Sequence, residues 1–371
     1  MSASGARSII GIIRFVLGAI LFAYSLLTLV LLQWNEGILY NLAAIEDSGG
    51  LCLLSLALVL LPGWKKMPYF KIGLLFPFIA FAFLIAPAIQ SSQAFSSVEA
   101  AQTPGARNAF SWGRWIKGNK PPVGMEVVET SADDGQILHA MVFNRNGKTG
   151  KRVAVLVLHG GGFTAGSAEH GAELAIALAD HDWMGISIDY RLAPKSAYPT
   201  QINDVAHWIR YFKQHAARWE LDTTRFFLAG ESAGATIALN AAYTLNDSSI
   251  KAVANLYGFT SADSSNAALM NSIAHPIDML QAYRGSHSFQ EISPTEQAKQ
   301  HAIPTISLHG EKDNIVAPIQ AVYLDSVLSQ QKIAHQLVLL PWATHLFNHP
   351  SFGPSGQLSV EYIDRFFRKH L

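Results

Sequence analysis

The sequence predicts an α/β fold, a doubly wound and mostly parallel sheet, preceded by an N-terminal membrane region of about three α-helices. Three observations carry this. Beyond about residue 150, short β-rich runs alternate with stretches of helical periodicity, the pattern of strands joined by crossover helices. Glycine-bearing turns follow several of those runs, where an open parallel sheet places its ligand chemistry. Before residue 90, by contrast, the chain is dominated by long apolar runs.

The chain has 371 residues, half of them hydrophobic, with 27 basic and 27 acidic side chains and zero formal net charge. This balance carries no electrostatic footprint for nucleic acid, so a nucleic-acid partner is not expected. The single cysteine, Cys52, excludes an intrachain disulfide and reads as a small apolar filler.

In the N-terminal region, residues 1–89, the apolar segments are 9–32, 43–62 and 72–89. The first is long enough to cross a bilayer alone, with Arg14 near its start able to snorkel. The third carries Pro77 and Pro87, which membrane helices tolerate. The second reaches spanning length only by drawing in Glu46 and Asp47, so a re-entrant segment competes with a crossing. Ser4, Gly11, Gly18 and Ser25 recur every seventh residue. They read either as a close-packing stripe or as the ordinary small-residue content of a membrane helix. Arg7 precedes the first segment, and Lys65, Lys66 and Lys71 precede the third. With positive flanks cytoplasmic, three crossings make a multi-pass membrane protein whose catalytic domain is extracytoplasmic.

Residues 90–106, QSSQAFSSVEAAQTPGA, are small and polar and read as a linker. The remaining domain spans 107–371. Trp112 and Trp115 at its start suit a headgroup layer or a core cap. MEVVETSADDGQILHAMVF alternates around Asp-Gly, a hairpin signal. RVAVLVLH, GISIDY, RFFLAG, IKAVANLYGF, IPTISLHG and HQLVLLPWA then read as strands, separated by helical patterns such as AELAIALADH and APIQAVYLDSVLSQQ. Residues 260–298 interrupt the alternation and are expected to form a lid or pocket wall.

The chemistry is concentrated in three places. FFLAGESAGA, residues 226–235, sets Ser232 between Gly230 and Gly234 where a strand gives way to a helix, the context of a nucleophile elbow. HGGGF at 159–163 follows a strand directly. Glycines there leave backbone N–H groups free to face a developing oxyanion. The loop lacks the G-K-[ST] ending and the G-x-G-x-x-G spacing of phosphate-binding loops. Asp313 and His345 each fall just beyond a later strand, giving the chain order Ser, Asp, His used by this kind of sheet. Asp325 is a rival acid and His349 a rival base, while His159 and His309 read as structural residues. No cofactor or metal is expected, because neither H-E-x-x-H nor a cysteine pair is present.

HGGGF, YRLAP at 190–194 and GESAG together make residues 105–371 resemble the α/β-hydrolases of the hormone-sensitive-lipase-like esterase group. The resemblance implies Ser232 as nucleophile, Asp313 and His345 as its partners, and the N–H groups of Gly161, Gly162 and Ala233 as the oxyanion hole. It implies a small-molecule carboxylic ester of short to medium acyl chain, and the apolar N-terminus adds a lipid membrane as partner and a lipophilic substrate. Lys195 stands where the group has an acidic residue, which puts a local ion pair in doubt; Glu231 stands where Asp is common. Acyl transfer or amide hydrolysis by the same triad, and a catalytically idle scaffold, are the competing functions.

Overall fold

The structure, a computed structural model, describes residues 3–31, 48–61, 70–100, 110–118, 124–144, 151–262, 268–269 and 277–371. Two compact units divide the chain, Met1–Lys120 with Phe347–Leu358, and Pro121–Leu346 with Ser359–Leu371.

In the first unit, apolar helices cover Ala3–Leu31, Gly49–Leu60 and Phe70–Ala100. Among the described residues two helices are long and apolar enough to cross a bilayer. Three crossings were expected, yet Gly49–Leu60 has 12 residues. At 1.5 Å per residue it rises about 18 Å, short of a hydrocarbon layer about 30 Å thick. Residues 43–47 and 62 of that expected segment lie outside the described residues. The linker reading also changes, because the third helix runs without interruption to Ala100. Its Ser, Gln, Ala and Glu side chains all tolerate helix, and the first breaker after Pro87 is Pro104. Residues 101–106 are outside the described set.

Of the two readings of the small-residue stripe, packing fits: Gly11, Gly18 and Ser25 are buried, while Ile9, Ile10, Ile12 and Ile13 are 46–60% exposed. A Cβ at Gly18 would lie 3.0 Å from Pro77 Cδ. The short Trp112–Lys117 helix begins at Ser111, whose side chain accepts from the Arg114 N–H. Trp115 is buried and packs with Phe110, whereas Trp112 is exposed.

The second unit is built on one eight-stranded sheet of order β1-β2-β4-β3-β5-β6-β7-β8. Its strands are β1 Met125–Ser131, β2 Ile137–Phe143, β3 Arg152–Leu158, β4 Met184–Ile188, β5 Leu221–Glu231, β6 Ile250–Leu256, β7 Thr305–Gly310 and β8 His335–Leu340. β1 and β2 form the antiparallel hairpin at one edge, β2 meets β4 antiparallel, and every other pair is parallel. Ala154–Leu158 and Phe226–Ala229 are wholly buried. A strand covered by helices on both faces has no solvent side, which is why these read as continuous apolar runs. Gly185 lets β4 approach the Ala168–Asp180 helix: a Cβ there would fall 2.0 Å from Ala175 O.

The described part of the 260–298 insertion is docked into the core. Gln320 fastens its start, accepting the N–H groups of Thr260 and Ser261 at 2.8 Å each. Asn240 Nδ2 donates to Ile292 O, and the Thr295 N–H to Thr260 O. Leu280, Tyr283 and Ile292 are fully buried in the main core, and Phe163 stacks on Tyr283 at 4.0 Å between centroids. Residues 263–267 and 270–276 lie outside the described set. Replacing Tyr283 with Ala should therefore cost about 3–5 kcal/mol, as truncation of a large buried aromatic does. A fall in the urea midpoint of the detergent-purified chain measures it. The exposed neighbour Met279 should tolerate the same change within about 0.5 kcal/mol.

Candidate active site

β5 ends at Glu231, and the Ala233–Thr244 helix begins two residues later. Between them Ser232 holds φ 53° and ψ −118°, a conformation L-residues rarely adopt. Close packing enforces it. A Cβ at Gly230 would meet Gly234 O at 2.3 Å, and one at Gly234 would meet Leu158 O at 2.2 Å, so the strand, the turn and the helix touch backbone to backbone. The Ser232 N–H donates to Leu256 O, and Ser232 O accepts the N–H groups of Ala235 and Thr236.

From the C-terminal end of β3 comes the glycine loop. A Cβ at Gly160 would lie 3.4 Å from Ser232 Cβ, so the loop runs beside the serine. Gly161 and Gly162 take φ 124° and 59°, open to glycine at no cost. Among the described residues neither of their N–H groups donates to another backbone group. The Ala233 N–H opens a helix and has no intrahelical acceptor. His159 shapes this loop: its Nδ1–H donates to Gly160 O at 2.6 Å, and its ring stacks on Tyr190 at 4.2 Å. Burial lowers the pKa of His159, favouring the neutral ring. The Tyr190 hydroxyl donates to His159 O. Arg191 is satisfied by buried Asp204 and by Asp133 and Asp134 of the hairpin turn. Its ion pair thus needs no acidic residue at position 195.

The structure brings the three triad candidates together. His345 Nδ1 donates to Asp313 Oδ2 at 2.7 Å, and the Ser232 hydroxyl reaches His345 Nε2 at 3.0 Å. Asp313 Oδ1 accepts the N–H groups of Ile315 and Val316 at 2.9 and 3.0 Å. Burial pushes the Asp313 carboxyl up, but the charge of a protonated His345 and hydrogen bonds from His309 and His345 outweigh it, holding the group well below the usual carboxylate range. Tyr257 meets the His345 ring edge-on at 4.7 Å. The rivals lie elsewhere: Asp325 is within the Ile319–Gln330 helix beside His335, and His349 belongs to the Phe347–Leu358 segment of the other unit.

One neighbour escaped the sequence reading. Met279, 46% exposed, lies against Gly162, where an added Cβ would come 2.2 Å from its sulfur. Nothing in the sequence of the insertion marks it. His309, read as a packed residue, lies 3.3 Å from Asp313 Oδ2. The four-residue spacing of HGEKD across a strand end was its one available signal.

The depressed Asp313 carboxyl makes a stability prediction. A carboxylate whose pKa is lowered on folding contributes stability above its unfolded value, about 3.9, and loses it as pH falls through the folded value. The stability difference between wild type and Asp313→Asn, read from urea midpoints, should therefore shrink as pH falls from about 5 to 2. A constant difference would contradict the assigned ionisation.

A family model described as BD-FAE matches residues 142–328. Among curated proteins, the chain is 27% identical over 216 residues to esterase LipQ of Mycobacterium tuberculosis, covering 54% of this chain and 51% of LipQ. It is 38% identical over 95 residues to the acetyl esterase of Salmonella paratyphi B, covering 25% and 29% of the two chains. The chain thus spans about half the length of the first relative and under a third of the second. Among solved structures, a bacterial heroin esterase superposes with TM-score 0.59 at 18% identity, covering 77% of this chain and 93% of that one. A hyperthermophilic esterase from Pyrobaculum calidifontis gives 0.57 at 20% identity, covering 67% and 86%. These likenesses show the fold, which is that of the α/β-hydrolases.

Proposed function

The chain belongs to the BD-FAE family, and we propose that it is a carboxylic ester hydrolase working through an acyl-enzyme on Ser232, His345 and Asp313. The observation that carries this reading is the continuous line of hydrogen bonds from Asp313 through His345 to Ser232 Oγ. As Oγ attacks the ester carbonyl, His345 Nε2 takes its proton, and the imidazolium so formed is held by Asp313. The N–H groups of Gly161, Gly162 and Ala233 receive the oxyanion, from donors fixed before the substrate arrives. Collapse of the tetrahedral intermediate expels the alcohol, which takes its proton from His345. Water then attacks the acyl-enzyme by the same route in reverse.

The names of the two relatives, an esterase and an acetyl esterase, support a short to medium acyl group. Exposed, apolar Met279 beside the glycine loop supports a lipophilic one. In the detergent-purified chain a fluorophosphonate should label Ser232, and Ser232→Ala should lower kcat on p-nitrophenyl butyrate by about a million-fold. His345→Ala should abolish turnover, whereas His349→Ala should keep most of it. Labelling at another serine, or equal loss in both histidine variants, would contradict the assignment. An inert wild type would favour the scaffold reading.

The N-terminal region is read as a membrane anchor. The apolar stretches Ile9–Leu26 and Gly73–Ala94 are only 22% and 33% buried, whereas the core helix of a soluble protein is mostly buried. The extracytoplasmic placement of the catalytic domain requires a third crossing, and Gly49–Leu60 is too short for one. The full chain should stay in the membrane fraction through an alkaline carbonate wash and leave it only with detergent. Release by carbonate alone would contradict the anchor.

A further inference from the structure

His309 stands at the end of β7, four residues before Asp313, and both side chains are fully buried. Its Nε2 faces two oxygens, Val316 O at 2.7 Å and Asp313 Oδ2 at 3.3 Å. Two acceptors on one side require that Nε2 carry a hydrogen. Nδ1 is buried and has no partner, so a second proton there would be an unpaired buried N–H. The ring is therefore the neutral Nε2–H tautomer. An apolar side chain would fill the same space without leaving a nitrogen unsatisfied. What the imidazole adds is the Nε2–H, which holds the far end of the acid loop at Val316 O and faces the carboxylate that Ile315 and Val316 hold from the other oxygen.

We propose that His309 is a positioning residue of the triad, its Nε2–H held on Val316 O and facing Asp313 Oδ2 at 3.3 Å, so that the acid loop is fixed and the charge of the carboxylate toward His345 is moderated. The proposal rests on the esterase reading. Oδ2 is the same oxygen that accepts His345 Nδ1–H, so it sits between two imidazoles. A donor on a carboxylate oxygen draws charge from it and makes it a weaker partner for the second donor. Without His309, Asp313 would press its full charge on His345 and raise the basicity of that ring. Further ionisable groups near this line among the described residues include Tyr257, edge-on to His345, and Glu231 and Glu173, which act electrostatically on Tyr257. Burial keeps the Tyr257 phenol protonated, so its charge does not compete.

The test compares His309→Leu and His309→Met, which remove the donor, with His309→Gln, whose amide nitrogen reaches a similar point. In the detergent-purified full chain the apolar variants should lose about 10- to 100-fold in kcat on p-nitrophenyl butyrate, the rate equivalent of one hydrogen bond to a charged group, with KM nearly unchanged. The acid limb of their kcat/KM profile should move up by about half a pH unit. His309→Gln should recover most of both. An apolar variant that melts like wild type and keeps kcat within twofold would overturn the proposal, as would a loss with an unmoved acid limb. Should neither apolar variant fold, His309→Gln decides alone: near-wild-type kcat and acid limb support it, and a folded variant losing tenfold or more sinks it. The His345 titration, followed by NMR on a histidine-labelled chain, separates this from failure of the esterase reading. In a chain inert toward esters, an upward shift in His309→Leu still supports the positioning role, and an unmoved titration overturns it.

Discussion

Ser232 is held at φ 53° between a strand that cannot lengthen and a helix that cannot retreat, and the geometry around it follows from that constraint. Such a conformation costs an L-residue about 1–3 kcal/mol, so it persists only where surrounding packing over-determines it. The packing is backbone against backbone: Gly230 on Gly234 O, Gly234 on Leu158 O, Gly160 beside Ser232 Cβ. One constraint thereby brings together the ends of β3 and β5 and the start of the Ala233–Thr244 helix. Oγ, the glycine loop and the first free helical N–H converge as a result.

The acid side of the site is organised on a different principle. Asp313 is fully buried, and an uncompensated charge there would be strongly destabilising. Two backbone N–H groups take one oxygen and two imidazoles face the other, so the carboxylate stays ionised where solvent does not reach. The ring it orients, His345, is buried, and Tyr257 meets it edge-on. The insertion completes the surroundings from within the core. Leu280 and Tyr283 anchor a helix whose exposed Met279 rests on the glycine loop, so a side chain that looks mobile in isolation is carried on a fixed base.

Sequence and structure part at two segments, once for a local reason and once for a long-range one. The linker reading weighed polarity, but serine, glutamine, alanine and glutamate continue a helix readily when no proline intervenes, and the helix runs to Ala100. The lid reading weighed the missing strand pattern of residues 260–298, which records irregularity and not exposure. Gln320 and Asn240 from outside the insertion, and Ser293 from its far end, satisfy that irregular backbone inside the core through bonds between residues distant in sequence.

The sequence by itself determined the sheet and its catalytic ends, because strand periodicity, glycine turns and the order Ser, Asp, His are written along the chain within windows of a few residues. It marked Ser232, Asp313 and His345 singly. Only the tertiary structure decided that His345 and not His349 meets both partners, that Asp325 lies on a helix beside His335, and that His309 faces the same carboxylate oxygen as His345. The physical reason is distance along the chain. Ser232 and His345 are 113 residues apart, and a 3.0 Å hydrogen bond between them is a property of how β5, β7 and β8 are laid side by side, which no local pattern of residues encodes.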